Sequence, residues 1–393
     1  MQKAPHIPVM LGETINALAV RDNGIYVDAT AGAGGHCAAI LEQLSGKGRL
    51  LAVDRDPSAV ARVRDRFSAD TRVEVFHSPF SKLAEVVAAQ GLTGQIDGIL
   101  LDLGVSSMQL DQPERGFSFM RDGDLDMRMD SANGITLSEW LSTADEFLLT
   151  RVLREYGEER HARRIAAAIV EQHAHQPLQT TAELATLVSN AMPRHDHKKH
   201  PATRTFQALR IALNDELGEL QRFLTQVIGL LAEGGRLVVL SFHSLEDRIV
   251  KRFIQLHSKI TDDLPIDLPI IDAERIAPLK RVRVGKKPGR EEVSSNPRSR
   301  SVIMRVAERT TAPVPQSDDH QLFGIEELTQ RVADQQRAGG GQSGRPNAKS
   351  KQTSGSKHKF QPLMGPLVSP SGYSLPGYSL QEWFSVINWA IAR

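Results

Sequence analysis

Residues 24–36 read Gly-Ile-Tyr-Val-Asp-Ala-Thr-Ala-Gly-Ala-Gly-Gly-His. The apolar run Gly24–Asp28 predicts a buried strand, and the glycines after it predict a tight turn where a ligand can approach the backbone. Further short aliphatic runs follow at Arg49–Asp54, Arg72–Phe76 and Ile96–Leu101. None of these runs alternates cleanly between polar and apolar residues, which is typical of parallel strands covered on both faces.

Helix-length segments separate these strands, at His36–Leu44, Pro57–Ser68 and Phe80–Gln90. Strands that alternate with helices predict an α/β fold with a doubly wound sheet. A fifth strand is predicted at Gly235–Ser241, after one long amphipathic helix over Thr205–Ala232, and a last strand at Arg300–Val306.

The alternation is interrupted between residues 111 and 200, where the sequence indicates mostly helices. We therefore predict a discontinuous α/β domain made of residues 1–110 and 201–309, with residues 111–200 as a helical insertion domain. After Thr310 the composition shifts to Pro, Gly, Ser, Gln and Lys. Such a segment has little apolar surface to bury, so residues 310–393 are predicted to be a largely disordered tail.

The 393 residues carry a formal net charge of +1 and one cysteine, Cys37. An internal disulfide is therefore impossible, which is typical of proteins in a reducing compartment. The first residues lack the charged and apolar regions of a signal peptide, and no apolar run is long enough to span a bilayer. These features predict a cytoplasmic protein without a membrane partner.

Three acidic residues, Asp28, Asp54 and Asp102, follow predicted strands and should lie on one rim of the sheet. Asp54 follows Gly34 by twenty residues, a position from which a carboxylate accepts hydrogen bonds from both hydroxyls of a ribose. A rim with three acids suits a cation, such as the sulfonium of S-adenosylmethionine, better than a pyrophosphate. The dinucleotide-binding pattern also lacks its third glycine, because Cys37 stands in that place.

Eight motifs occur in one order along the chain. They are His6–Met10, Asp28–His36, Asp102–Ser107, Gly116–Phe119, Leu125–Met129, Thr203–Ile211, Ser241–Arg248 and Asn296–Arg300. With these motifs, residues 1–309 resemble the bacterial small-subunit (16S) ribosomal RNA methyltransferases that modify the exocyclic N4 of a decoding-site cytidine. The resemblance implies a Rossmann-like class I methyltransferase sheet with an inserted helical domain. It also implies S-adenosylmethionine as the cofactor and 16S ribosomal RNA, within the small ribosomal subunit, as the partner.

The resemblance further implies which residues bind the cofactor. Its methionine part would lie along Gly34, Gly35 and His36, its ribose on Asp54 and its adenine on Phe80, with Asp102 and Gln109 completing the pocket on the methyl side. No residue is assigned as the general base. The aromatic residue that stacks on the target base is left open among Phe117, Phe119 and Phe242.

Local clusters of positive charge predict contact with RNA, although the whole-chain charge does not. Between Lys280 and Arg305 there are nine Lys or Arg and two Glu, among glycines and prolines that fit an extended loop along a phosphate backbone. The candidate RNA-binding residues are Lys286, Lys287, Arg298 and Arg300. A second basic cluster, Arg194–His200 with Arg204 and Arg210, fits either an RNA contact or a solvated surface. Its histidines have no cysteine or acidic set at metal-ligand spacing, so no metal site is predicted.

Three other functions stay open at this point. The chain could be a methyltransferase for DNA, protein or a small molecule, a nicotinamide-dependent oxidoreductase, or a non-catalytic protein that uses the sheet as an assembly platform. The basic loop disfavours a small-molecule substrate, and the missing third glycine disfavours a nicotinamide cofactor. The complete acidic and glycine-rich rim disfavours a platform role.

Overall fold

The computed structural model describes residues 8–192, 200–259, 276–315 and 326–340. Its centre is a seven-stranded sheet of β1 (Ile25–Asp28), β2 (Arg49–Asp54), β3 (Val73–His77), β4 (Ile96–Asp102), β5 (Leu231–Ser241), β6 (Leu279–Arg281) and β7 (Ile303–Arg309). The strand order is β3-β2-β1-β4-β5-β7-β6. Strands β1 to β5 are parallel, β7 is antiparallel to β5, and β6 is antiparallel to β7. The predicted doubly wound α/β fold is confirmed.

Helices cover both faces of this sheet. In chain order they are α1 (Leu11–Leu18), α2 (Gly35–Gln43), α3 (Pro57–Arg66), α4 (Leu83–Ala89), α5 (Ser107–Asp111), α6 (Leu137–Thr143), α7 (Glu146–Glu155), α8 (Ala162–His175), α9 (Thr181–Ala191), α10 (Thr203–Leu213), α11 (Glu216–Leu230), α12 (Ser244–His257), α13 (Arg290–Ser295) and α14 (Glu326–Gly340). Because the connections return the chain to the amino end of the sheet, β1, β2 and β4 end on one rim. In the part of the chain that the structure describes, no helix is long and apolar enough to cross a membrane.

The prediction of a single helix over Thr205–Ala232 is wrong, because the chain breaks at Asn214 and Asp215 into α10 and α11. Asp215 has a φ of 49°, in the left-handed region, which an amphipathic pattern does not reveal. The Asn214 side chain stabilises the break. Its Nδ2 donates to the Met127 carbonyl at 2.9 Å, and its Oδ1 accepts from the Met129 N–H at 2.7 Å.

The last strand begins at Ile303, three residues after the predicted start. A 3-10 turn over Pro297–Ser301 precedes it, since the fixed φ of proline suits the first position of a helical turn. Helices α1, α5, α12 and α13 and the short edge strand β6 have no counterpart among the predicted elements.

The helices predicted inside residues 111–200 are present as α6 to α9. They pack around the fully buried side chains of Trp140, Leu149 and Ile165. This hydrophobic cluster is continuous with residues of the sheet, such as Val27 and Leu51. The helical insertion therefore shares its core with the sheet, and its boundaries as a separate domain stay a prediction.

Helix α14 lies within the segment predicted to be a largely disordered tail and shows that residues 326–340 are helical, while the prediction for the tail as a whole stays a prediction. Leu328 and Val332 are buried, at 0% and 2% exposure, and join the same hydrophobic cluster. Their spacing of four residues places both side chains on one face of the helix, a signal hidden by the polar composition around them. Residues 341–393 of the predicted tail lie outside the described residues.

Candidate active site

A cavity of about 340 Å³ opens at the carboxyl ends of β1, β2 and β4, where the strand order reverses beside β1. Ligands of open α/β sheets bind in such a crevice. The structure brings together six of the seven predicted cofactor-binding residues, which line this cavity: Gly35, His36, Asp54, Phe80, Asp102 and Gln109. The seventh, Gly34, does not line the cavity.

The glycine-rich turn requires glycine at two positions. Gly34 has a φ of 74° and forms the turn that leads into α2. At Gly35 a Cβ would lie 2.2 Å from Pro8 Cγ, so the N-terminal segment packs against this turn only because residue 35 has no side chain. His36 Nε2 donates to the Val9 carbonyl at 3.2 Å and holds the same segment in place.

Asp54 ends β2 with both carboxylate oxygens held by backbone N–H groups. Its Oδ2 accepts from Gly32 at 2.7 Å, and its Oδ1 accepts from Asp56 at 2.8 Å. Burial raises the pKa of this carboxyl, although the two N–H groups oppose the shift. A carboxylate has about four acceptor sites, so Asp54 can still accept hydrogen bonds from the hydroxyls of a ligand.

Asp28, the first of the three rim acids, lies behind the cavity wall and is 1% exposed. Its Oδ1 accepts from the Thr30 N–H at 3.2 Å, and its Oδ2 accepts from the Cys37 thiol at 3.1 Å. Burial raises the pKa of Asp28 to about 6. The expectation that all three acids face the ligand is therefore corrected, because Asp28 supports the glycine turn from behind.

Gln109 is buried in the cavity wall with both ends of its amide bonded to the protein. Its Nε2 donates to Asp56 Oδ2 and its Oε1 accepts from the Ser106 N–H, both at 2.9 Å. Asp56 Oδ2 also accepts from Arg115 Nη1 at 2.9 Å. Gln109 thus shapes the wall through Asp56, which is absent from the predicted site. The Asp-Pro pair that begins α3 is an N-cap signal that could have identified Asp56.

Phe80 lines the cavity from the 3-10 turn that follows β3. Its half-buried ring packs edge-on against the buried ring of Phe223, with centroids 5.9 Å apart and an interplanar angle of 86°. The contact with Phe223 holds the Phe80 ring at the cavity wall. An aromatic ring held in this way provides a surface for a flat heterocycle.

Asp102 ends β4 with one oxygen lacking a partner. Its N–H donates to Thr30 Oγ1 at 2.7 Å, and its Oδ2 lies 3.7 Å from His36 Nδ1. Within the described ranges, Oδ1 is buried and makes no hydrogen bond. Burial, together with the carboxylates of Asp28 and Glu246, raises the pKa of Asp102 to about 8. A half-buried acid with a raised pKa and one unpartnered oxygen favours a ligand that brings a positive charge or an N–H donor.

The cavity wall also contains a network of buried charges that the sequence analysis did not find, since it assigned Arg210 to the second basic cluster, as an RNA contact or a solvated residue, and not to a buried ion pair. Arg210 donates to both carboxylate oxygens of Glu216, at 2.7 and 2.9 Å, and His243 Nε2 lies 3.0 Å from Glu246 Oε1. Burial alone would raise the pKa of Glu246, but His243 and Arg210 hold it below its usual value. The spacing of His243 and Glu246 is that of a capping box at the start of α12, which could have indicated this pair.

Glu216, His243 and Glu246 also bring ligand-type atoms within 4.8 Å of one another. The sequence analysis considered only the histidines of residues 194–200, so it did not find this set. Carboxylates and imidazoles bind divalent cations in general. Here the Arg210 guanidinium donates to both oxygens of Glu216. A protein side chain therefore already supplies positive charge to these three residues.

The residues predicted to contact RNA fall into two groups. Arg298 lines the cavity, with its Nη2 3.3 Å from Asp111 Oδ1. Lys286, Lys287 and Arg300 are exposed on the segment between β6 and β7, and no carboxylate of the described residues forms an ion pair with them. Residues 193–199, most of the second basic cluster, lie outside the described residues.

Of the three aromatic candidates for stacking on a base, Phe242 lines the cavity and the other two do not. Phe117 is buried in the core at 7% exposure. Phe119 packs against Phe206 and His200, with ring centroids 4.8 and 4.5 Å apart. Phe242 is therefore the candidate that the structure retains.

A doubly wound sheet of this strand order, with an acidic cavity at the switch point, defines a class I methyltransferase. The chain belongs to the MraW methylase family, which matches residues 3–310. The family resemblance of the motifs is confirmed, and the chain is an S-adenosylmethionine-dependent rRNA methyltransferase. The cavity fits this cofactor, because the Asp102 carboxylate, which has one oxygen without a partner among the described residues, suits its cationic sulfonium and the Asp54 carboxylate suits its ribose.

Solved structures similar to this chain include three bacterial proteins. A putative rRNA methylase from Clostridium thermocellum is 11% identical, with 78% of this chain and 99% of that chain covered and a TM-score of 0.36. An rRNA methylase from Streptococcus thermophilus is 12% identical, with 79% and 100% covered and a TM-score of 0.35. A putative methyltransferase from Streptococcus mutans in complex with SAH is 11% identical, with 77% and 99% covered and a TM-score of 0.35. No conclusion about this chain is drawn from these distant similarities.

The pKa of Asp102 predicts that cofactor binding depends on pH. Asp102 is mostly protonated at neutral pH in the free enzyme, and a cation in the cavity favours its ionised form. Binding of S-adenosylmethionine should therefore release a proton. The affinity for the cofactor should rise by at most about tenfold per pH unit as the pH approaches 8, and it should level off above pH 8. Calorimetry in buffers of different ionisation enthalpy measures this release.

The control for this prediction is Asp102→Asn, which carries no titrating group at this position. Its cofactor affinity should vary much less between about pH 6 and pH 9 than that of the natural enzyme. Equal pH dependence in the two proteins would contradict the assignment to Asp102.

Proposed function

We propose that this enzyme methylates the exocyclic N4 of a cytidine in 16S ribosomal RNA, within the small ribosomal subunit and in the cytoplasm. The observation that carries the proposal is the Asp102 carboxylate, which lines the cavity and whose Oδ1 has no hydrogen-bond partner among the described residues. This carboxylate can accept an N–H from an amino group, which cytosine has and uracil lacks. The 16S target itself rests on the motifs shared with that family of methyltransferases.

The cavity residues suggest how the cofactor lies. In this proposal Gly35 and His36 contact the methionine part, and the carboxylate of Asp54 accepts hydrogen bonds from the ribose hydroxyls. The adenine lies against the ring of Phe80. Gly34 and Gln109 act indirectly, since Gly34 forms the turn and Gln109 is bonded to Asp56 in the wall.

The donors and acceptors of the cavity favour cytosine as the target base. Cytosine presents an N4–H donor next to two acceptors, N3 and O2, whereas uracil presents an O4 acceptor next to an N3–H donor. The cavity contains the acceptor Asp102 together with Asn296 and Arg298, whose side chains carry N–H donors. The base must leave its stack to enter, and Phe242 at the wall offers a ring for it to stack on.

The chemistry is a displacement at carbon. S-adenosylmethionine supplies an electrophilic methyl group when it is bound. The N4 lone pair forms a bond to the methyl carbon as the carbon–sulfur bond breaks, and N4 then loses one proton. In this proposal Asp102 accepts that N–H and helps to localise the N4 lone pair, because a cation nearby lowers its pKa from about 8 and keeps the carboxylate ionised.

The test of this function is transfer of labelled methyl from S-adenosylmethionine to unmodified small ribosomal subunits, naked 16S RNA and DNA in parallel. We expect label in the RNA of the small subunit, recovered as N4-methylcytidine after digestion. Asp102→Asn should lower the rate by at least about a hundredfold, as the loss of a proton acceptor does. Label in uridine, DNA or protein alone, or no transfer despite cofactor binding, would refute the proposal.

Removing the Asp54 carboxylate should weaken cofactor binding. We expect Asp54→Ala to raise the Kd for S-adenosylmethionine by more than about tenfold, because charge-assisted hydrogen bonds to the ribose are lost. Asp65→Ala, which removes an exposed carboxylate from neighbouring α3, is the matched control and should leave the Kd unchanged. Calorimetry gives both values, and an unchanged Kd in a folded Asp54→Ala protein would reject this position for the ribose.

Removing the two exposed lysines should weaken RNA binding and spare cofactor binding. We expect the double variant Lys286→Ala, Lys287→Ala to lower RNA affinity and to reduce the salt dependence of log K by about one per lysine. Lys47→Ala, at the amino end of β2 and so on the opposite edge of the sheet, is the control. A salt slope equal to that of the natural enzyme would exclude this segment as an RNA contact.

A further inference from the structure

The break between α10 and α11 creates part of the wall of the active-site cavity. On an unbroken α-helix, residues six positions apart project about 120° from one another. The left-handed Asp215 instead turns the chain so that Arg210 and Glu216 meet, with two hydrogen bonds of 2.7 and 2.9 Å. Both residues line the cavity. The position of this charged pair therefore depends on the geometry of the break.

The same break contacts other cavity residues through its backbone and the Asn214 side chain. Arg55 Nη1 donates to the Asn214 carbonyl at 2.8 Å, and Met129 N–H donates to Asn214 Oδ1 at 2.7 Å. Arg55 and Met129 both line the cavity. A shift of the break would therefore move several residues of the wall together.

Helix α14 contacts this break directly through Gln336. Its Nε2 donates to the Leu213 carbonyl at 2.7 Å and lies 3.4 Å from the Ala212 carbonyl. The last carbonyls of a helix have no intrahelical donor and need a partner from elsewhere. Gln336 supplies that donor at the residues that immediately precede the break.

Other contacts fix α14 at this place. Leu328 and Val332 are buried in the hydrophobic core, and Thr329 Oγ1 lies 3.3 Å from the Tyr156 hydroxyl. A Cβ on Gly218 would lie 2.6 Å from Thr329 Cγ2, so α14 packs closely against the first turn of α11. The helix is thus held on both sides of the break by apolar and polar contacts.

We infer that α14, which follows the residues 3–310 matched by the family, is a brace for the α10–α11 break, and that Gln336 is a positioning residue for the cavity wall. Gln336 is not a catalytic residue, because it acts on the cavity only through the Leu213 carbonyl and the break. The inference rests on the proposed function in one respect: the expected effect on methyl transfer assumes that the RNA base enters against this wall. The existence of the brace can be tested without any catalytic measurement.

The test compares variants of the full chain. Gln336→Glu keeps the shape of the side chain but places acceptor oxygens against the carbonyls of α10. We expect amide hydrogen exchange in residues 210–218 to become at least about tenfold faster, since the bond and the helix end it satisfies are lost. We expect kcat for methyl transfer to fall about fivefold or more, with the Kd for S-adenosylmethionine within about threefold of the natural value.

Two further variants separate positioning from general stability. Gln336→Lys restores a donor, and its charge suits the negative end of α10, so exchange and kcat should return to within about twofold of the natural values. Gln330→Ala, on the exposed side of α14, is the control and should change neither quantity. Rates are expressed per cofactor-binding site, counted by calorimetry, so that unfolded protein does not contribute.

Each result decides the inference. Faster exchange with a lower kcat per site in Gln336→Glu, recovered in Gln336→Lys, supports the brace. Unchanged exchange in residues 210–218, or a loss of activity that disappears when rates are expressed per site, overturns it. If the natural enzyme transfers no methyl group to RNA, the proposed function fails, and the exchange measurement still decides whether α14 braces the break.

Discussion

Acidic side chains crowd the rim where β1, β2 and β4 end, and the site depends on how the fold holds each of them. The Asp28 carboxylate is satisfied by a thiol and a backbone N–H, and the Asp54 carboxylate by two backbone N–H groups. Asp102 has one oxygen without a partner among the described residues. Burial near like charges raises the pKa of such an acid. A bound cationic cofactor would therefore stabilise the ionised form of this carboxylate.

Two structural connections link this rim to the rest of the cavity. The N-terminal segment is held between the glycine turn and α13, since Val9 accepts from His36 and the Met10 N–H donates to Glu292 Oε1 at 2.6 Å. On the other side, Asn214 connects α10 to the cavity residues Arg55 and Met129. Each of these hydrogen bonds joins a side chain to a backbone group, so the wall depends both on the course of the chain and on the side chains that hold it.

The sequence predicted most of the sheet because short aliphatic runs between turns have few alternative conformations in an α/β protein. It also predicted the acids at the strand ends and the glycine turn, since both follow directly from strand boundaries. The sequence analysis failed where one pattern concealed another feature. The apolar positions of α10 and α11 follow one helical pattern, and a left-handed residue at Asp215 leaves no mark in that pattern. In α14 the polar composition concealed Leu328 and Val332.

The sequence by itself determined the class of the fold, the family and the rim of acids and glycines, because each rests on short local motifs and on where strands end. Only the tertiary structure decided which acid faces the cavity and which lies behind it. It alone also paired Arg210 with Glu216, His243 with Glu246, and Gln336 with the end of α10. The reason is that burial and charge pairing depend on distances between elements, and those distances arise when the helices pack against the sheet rather than from local sequence.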